Sequence, residues 1–118
     1  MRIITLNCNG IRAAARKGFF DWLPSQEADF VCLQETRIQP FQRTDDCYFP
    51  QGYTHCYVDA KKPGYSGVAL YCRKKPDRIQ EGLGWADFDS EARWVQADYG
   101  RCLLYTSPSP RDKRQSRM

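Results

Sequence analysis

Residues 3–35 run Ile3-Ile4-Thr5-Leu6-Asn7-Cys8-Asn9-Gly10, then Ile11-Arg12-Ala13-Ala14-Ala15-Arg16-Lys17-Gly18-Phe19-Phe20-Asp21-Trp22-Leu23, and then, past Pro24, Phe30-Val31-Cys32-Leu33-Gln34-Glu35. Ile3 to Leu6 is a short apolar run of β type, and the turn-rich Asn7–Gly10 stops it. From Ile11 the period changes. Ile11, Ala14, Ala15, Gly18, Phe19, Trp22 and Leu23 fall on one helical face, and Pro24 ends the pattern. Arg12, Arg16 and Lys17 fall off that face, while Phe19 and Trp22 read as core. Phe30 to Leu33 is a second buried run, closed by Gln34-Glu35-Thr36. The whole is a strand–helix–strand unit. If its strands are adjacent and parallel, the crossover is right-handed.

Outward from this unit, residues 38–52 are polar and turn-like, with Pro40, Pro50 and Gly52. Tyr53 to Val58 predicts a third strand with Tyr53, His55 and Tyr57 on one alternating face. Gly67 to Cys72 predicts a fourth strand, its hairpin partner across Pro63-Gly64. Arg78–Glu81 and Arg93–Asp98 are weaker strands, joined by a loop around Gly84-Trp85. After Arg101 the composition shifts to Thr106-Ser107-Pro108-Ser109-Pro110 and a basic stretch with no apolar period. Such a composition predicts no regular structure. The stretch also resembles translated sequencing adapter. Residues 1–101 therefore read as a partial domain and residues 102–118 as a disordered, non-native tail.

A chain of 118 residues supports one domain, and 42% apolar with 27% charged residues is ordinary globular composition. No apolar run is long enough to span a bilayer, and the start lacks the pattern of a signal peptide. The expectation is a cytoplasmic protein with no membrane partner. None of the six cysteines forms a C-x-x-C pair and His55 is the single histidine, which argues against zinc and for free thiols. The net charge is +4, of which residues 106–118 carry +3 (four basic, one acidic) and the remaining chain +1. Bulk charge thus gives no argument for nucleic-acid binding.

Parallel strands bring their carboxyl ends to one edge of a sheet, where ligand sites of open α/β sheets gather. Asn7 ends the first strand and Glu35 the second. A carboxylate and an amide oxygen converging there, with water, suit a hard cation such as magnesium or manganese. On these residues alone a second reading stands beside it, in which Asn7 and Glu35 merely cap turns.

Leu6-Asn7-Cys8-Asn9-Gly10-Ile11-Arg12-Ala13, Leu33-Gln34-Glu35-Thr36-Arg37 and Gly64-Tyr65-Ser66-Gly67-Val68-Ala69-Leu70 resemble, in this order, three signatures of the exodeoxyribonuclease III family, part of the endonuclease–exonuclease–phosphatase superfamily. Asp89-Ser90-Glu91-Ala92-Arg93 is similar to a fourth, where the family usually has Glu-Gly-Arg. The resemblance implies an α/β fold, here the N-terminal half of a two-sheet α/β sandwich. It implies Mg2+ (or Mn2+) as cofactor and duplex DNA with abasic sites or 3′ ends as partner, acted on by a protein that is a monomer when full length. The activities it implies are 3′–5′ exonuclease and abasic-site endonuclease. Glu35 and Asn7 would hold the metal, with Asn9 supporting them. Arg37, Tyr65, Ser66 and Arg93 would contact the DNA backbone.

The family carries further site residues in its later half: a tyrosine, an Asp-x-Asn pair and an Asp-His pair. The last two are absent from this sequence. Tyr105 falls about three residues too early for the tyrosine, and an odd shift turns a strand side chain to the opposite face. The chain therefore reads as an incomplete and inactive part of a DNA-repair phosphodiesterase, with one inner sheet face left uncovered. Two alternatives remain: a phosphatase of the same superfamily, and a non-catalytic α/β binding module.

Overall fold

A computed structural model describes residues 1–84 and 86–107 of the chain. The elements in order are β1 (Ile3–Asn7), α1 (Ile11–Arg16), α2 (Phe19–Trp22), β2 (Phe30–Gln34), β3 (Thr54–Val58), β4 (Val68–Cys72), β5 (Arg78–Gln80), α3 (Ala86–Asp89), β6 (Val95–Tyr99) and β7 (Cys102–Thr106). Short 3₁₀ turns lie at Leu23–Gln26, Pro40–Gln42 and Asp46–Tyr48. Among the described residues no helix is long and apolar enough to cross a membrane.

Four strands form one mixed sheet in the order β1-β2-β4-β3. β1 and β2 are parallel with Asn7 opposite Gln34, and β3 and β4 form the predicted antiparallel pair. A second, antiparallel sheet has the order β5-β6-β7. The alternation of side chains divides β2, β3 and β4 between two cores. Val31, Leu33, Ala69 and Tyr71 face Ile11, Phe19 and Leu23 of the helical layer. Cys32, Cys56, Val68, Leu70 and Cys72 face Val95 and Ala97 of the second sheet. β4 is buried along its whole length because both of its faces are covered.

Several expectations are corrected here. The helix over 11–23 is not continuous. Gly18 takes φ +95, a left-handed conformation that breaks the chain between α1 and α2. The break keeps Phe19 in the core but leaves Trp22 47% exposed. The inner face of the first sheet is also not bare, since β5-β6-β7 covers it over β2 and β4. At the β1 edge Ile3 stays 49% exposed. Finally, Cys102–Thr106 forms β7, paired with β6 from Tyr99↔Cys102 to Val95↔Thr106, within the stretch whose composition predicted no regular structure. The apolar run Cys102-Leu103-Leu104-Tyr105 outweighs the polar residues that follow it. Residues 108–118 lie outside the described residues, as does Trp85.

Gln34 joins the two layers. Its side-chain amide donates to Thr5 Oγ1 at 2.9 Å and to Thr106 Oγ1 at 2.7 Å, linking β1, β2 and β7. Tyr105, one position away from Thr106, points outward and stacks on Trp94 at 4.4 Å between ring centroids.

All six cysteines are free. Burial, with help from neighbouring acidic groups, pushes the Cys8 and Cys56 thiols from 9.0 up to about 12, and burial pushes Cys32 up to about 11. Above pH 9 the thiols of the unfolded chain ionise while the folded ones keep their protons. The unfolded state then binds fewer protons, and stability falls as pH rises. The contribution is fully present below pH 9 and is lost progressively towards the raised values. We predict a urea midpoint that declines steadily between about pH 9 and 11, followed by tryptophan fluorescence; a midpoint that climbs across that window would contradict this origin.

Candidate active site

Main-chain hydrogen bonds continue past the carboxyl ends of β1 and β2. Cys8 N donates to Gln34 O at 2.9 Å, Gly10 N to Glu35 O at 2.9 Å and Ile11 N to Thr36 O at 2.9 Å. The turn before β4 joins from the other side, with Thr36 N donating to Gly67 O at 3.1 Å and Arg37 N to Ser66 O at 2.7 Å. Three chain segments are thus sewn together where the parallel strands end. Asn9, Glu35, Arg37 and Ser66 all take φ near +50. Such a conformation costs a non-glycine residue roughly 1–2 kcal/mol, and the hydrogen-bonded frame holds it in place.

This frame brings Asn7, Glu35 and Arg37 together. Asn7 Nδ2 donates to Glu35 Oε2 in a short hydrogen bond. Arg37 Nη2 donates to Glu35 Oε1 at 2.8 Å, forming an ion pair whose side chains are 40% (Arg37) and 23% (Glu35) exposed. The two β-strand ends converge as expected, but the amide nitrogen of Asn7 faces the carboxylate. Its oxygen accepts from the Asn9 main-chain N–H at 3.0 Å. Asn9 thus meets Asn7 through its main-chain N–H. Cys8 lies beside this group; burial, and then the Glu35 charge, keep its thiol protonated, so it is no nucleophile.

A second cluster forms over the neighbouring turn. Tyr65 donates to Glu91 Oε1 at 2.7 Å, Arg93 Nη2 donates to the Tyr65 hydroxyl at 2.8 Å, and Arg93 Nε donates to Glu91 Oε1 at 3.0 Å. Burial works against the Arg93 charge, but the hydrogen bonds to Tyr65 and Glu91 outweigh it and raise the guanidinium above its ordinary value. Tyr65 and Arg93 thus meet each other directly and share Glu91, which the sequence reading did not single out. Its signal was present, as the residue two before Arg93 in a motif already recognised.

Ser66 lies below the surface of the turn. It is 6% exposed, and its hydroxyl is buried without a hydrogen-bond partner. Its left-handed backbone turns the side chain inward, while its carbonyl accepts from Arg37 N. Thr36 is likewise buried with its Oγ1 unpartnered, against Gly67. Among the described residues no group of three His, Cys, Asp or Glu side chains is placed to hold a metal ion. Any cation at Glu35 would complete its shell with the Asn7 amide, water and substrate oxygens.

The sequence profile of the Endonuclease/Exonuclease/phosphatase family matches residues 4–118. The chain belongs to the endonuclease/exonuclease/phosphatase family. It is similar to other proteins of this family. The DNA-(apurinic or apyrimidinic site) endonuclease of Dictyostelium discoideum is 32% identical over 110 residues, covering 93% of this chain and 30% of that protein. The exodeoxyribonuclease of Bacillus subtilis is 34% identical over 115 residues, covering 97% of this chain and 44% of that protein. The solved structure of an AP endonuclease from Archaeoglobus fulgidus superposes with a TM-score of 0.75 at 25% identity, over 93% of this chain and 42% of that one. The chain therefore spans less than half the length of these relatives, and its two-sheet α/β architecture is the part of the endonuclease/exonuclease/phosphatase fold that it shares with them.

The family's Gly in Glu-Gly-Arg finds a physical explanation here. Ala92 occupies that position at φ +52, where glycine is unstrained. Gly67, at φ +93, has no such latitude, because an added Cβ would lie 2.3 Å from Thr36 Oγ1. Gly67→Ala should destabilise by about 2 kcal/mol or more. Ala92→Gly should be neutral or stabilising by up to about 1 kcal/mol, against the usual loss of about that size for a buried Ala-to-Gly change. Thermal denaturation of the two variants checks both signs.

Proposed function

We propose that this chain is part of a magnesium-dependent DNA phosphodiesterase of the exodeoxyribonuclease III type, acting on duplex DNA at abasic sites or 3′ ends. The observation that carries the reading is a single one. The Glu35 carboxylate stands at the carboxyl edge of two adjoining parallel strands, flanked by Asn7 and Arg37. The names of the relatives supply the reaction class.

The donor chemistry fits magnesium or manganese. Magnesium is commonly bound by one or two carboxylates, with water and phosphate oxygens filling the rest of its shell. Glu35 would hold the ion, and Asn7 would assist through its amide oxygen after a turn of the side chain, or through water. When bound, the ion supplies charge neutralisation on the phosphate oxygens. The chain's own residues do the positioning. The frame around Gly10, Thr36 and Gly67 fixes the direction of Glu35. Arg37 offers a planar pair of donors that suits a phosphate. Tyr65 and Arg93, locked to Glu91, present hydroxyl and guanidinium donors of the kind that position a nucleic-acid backbone without reading its sequence.

The hydrolytic step also needs a base for the attacking water. The sequence contains neither the Asp-x-Asn nor the Asp-His pair of the family. Members of a catalytic unit act non-additively, so partial sets lose most of the rate. The 118-residue polypeptide is accordingly expected to bind the cation and DNA backbone weakly and to turn over negligibly. Isothermal calorimetry with Mn2+ should give one site, weakened at least about tenfold by Glu35→Gln, a change that removes the carboxylate charge, with the circular dichroism spectrum unchanged. Cleavage of an abasic-site duplex should stay at background. Unchanged Mn2+ affinity in Glu35→Gln would refute the assignment.

A further inference from the structure

Both oxygens of the Glu35 carboxylate are engaged by donors of the chain itself, Oε1 by Arg37 and Oε2 by Asn7. Each donor plays the part that a cation would play. We infer that Arg37 is a built-in counter-ion for Glu35, which a divalent cation must displace and which, once displaced, is free to take a substrate phosphate. The inference rests on the metal reading of Glu35 given above.

The main chain of Arg37 is held by neighbouring segments, whereas its side chain meets Glu35. Arg37 N donates to Ser66 O at 2.7 Å, and Arg37 O accepts from Arg12 Nη2 at 3.4 Å. The guanidinium lies 40% open to solvent and borders a cleft of about 290 Å³ shared with Asn9, Arg12, Arg16 and Gly64. It can therefore swing without any backbone movement. A cation on the carboxylate repels a guanidinium held against the same group, because like charges a few ångströms apart interact strongly at a partly dry site. The cleft into which the side chain would turn is already lined by Arg12 and Arg16, so the freed charge is stable there only with an anion among the three guanidiniums. Cation and phosphate would then favour each other, as linkage requires: the ligand that frees Arg37 improves the site for the second.

The test is a titration of the whole 118-residue chain with Mn2+ alone, read by electron paramagnetic resonance of the free ion. Arg37→Asn is the variant of choice, because asparagine tolerates the positive φ of this position. It should tighten Mn2+ binding roughly three- to fivefold, the size of an ion pair partly open to solvent. Arg78→Ala removes an exposed charge on β5, outside that cleft, and should change the affinity less than twofold by long-range effects, which salt screens. In the unaltered chain, the Arg37 Nε–H resonance should shift and exchange faster with water as Mg2+ is added, a readout that needs no variant to fold. Equal gains from Arg37→Asn and Arg78→Ala, a loss of affinity in Arg37→Asn, or an unmoved Nε–H signal at saturating Mg2+ would each overturn the counter-ion while leaving Glu35 as the metal carboxylate. Unchanged Mn2+ binding in Glu35→Gln would remove both readings together.

Discussion

The structure depends on the main-chain hydrogen bonds that continue beyond the strands. β-ladders normally stop where side-chain alternation stops. Here the pairing of β1 with β2 is carried on through Cys8, Gly10 and Ile11 into the first turn of α1, and the turn before β4 is tied in through Thr36 and Arg37. A chain held in this way can keep Asn9, Glu35, Arg37 and Ser66 in left-handed conformations that each would abandon alone. The direction of the Glu35 carboxylate is thus a property of backbone bonding in three segments. Replacing side chains around it changes what it meets, but not where it points.

The frame is stable because two cores share one sheet. β2 and β4 place Val31, Leu33, Ala69 and Tyr71 towards the helices and Cys32, Val68, Leu70 and Cys72 towards the second sheet. Period-two alternation alone produces this division, and a slip of one residue in either strand would exchange the two sets. The site lies at the edge of this double-sided sheet, where burial gives way to solvent. Glu35 and Arg37 can therefore remain charged and paired without the cost of full desolvation.

The strand–helix–strand unit, the β3–β4 hairpin and the meeting of Asn7 with Glu35 were legible in the sequence. Each follows from a local period or from the rule that parallel strands share a carboxyl edge. What was not legible depended on conformation at single residues or on distant partners. Gly18 counted as one more small residue on a helical face, and only its positive φ reveals a break that exposes Trp22. The burial of the Ser66 side chain was not legible because its inward turn goes with a left-handed backbone bonded to Arg37. The orientation of the Asn7 amide is decided by the Asn9 N–H, and no pattern of residue types encodes that choice. β7 was not legible because the polar, basic stretch that begins at Thr106 follows Cys102-Leu103-Leu104-Tyr105 directly, and its lack of an apolar period coloured the reading back to Arg101. The site assignments drawn from the family motifs remain proposals, and the structure contributes to them the geometry of the Asn7–Glu35–Arg37 group and the Glu91 link between Tyr65 and Arg93.

Gln34 sits immediately before Glu35 and holds Thr106, a residue 72 positions further along the chain. This contact has a temporal consequence. A polypeptide leaves the ribosome amino end first, so β1, α1 and β2 are exposed well before β7 exists. Until Thr106 emerges, the carboxamide next to the acidic residue has a hydroxyl on one side only. Pairings of such sequence separation form late and slowly. The anchoring of the acidic edge is accordingly a closing event of folding, completed after synthesis has passed the second sheet, although the residues at that edge precede that sheet in the chain.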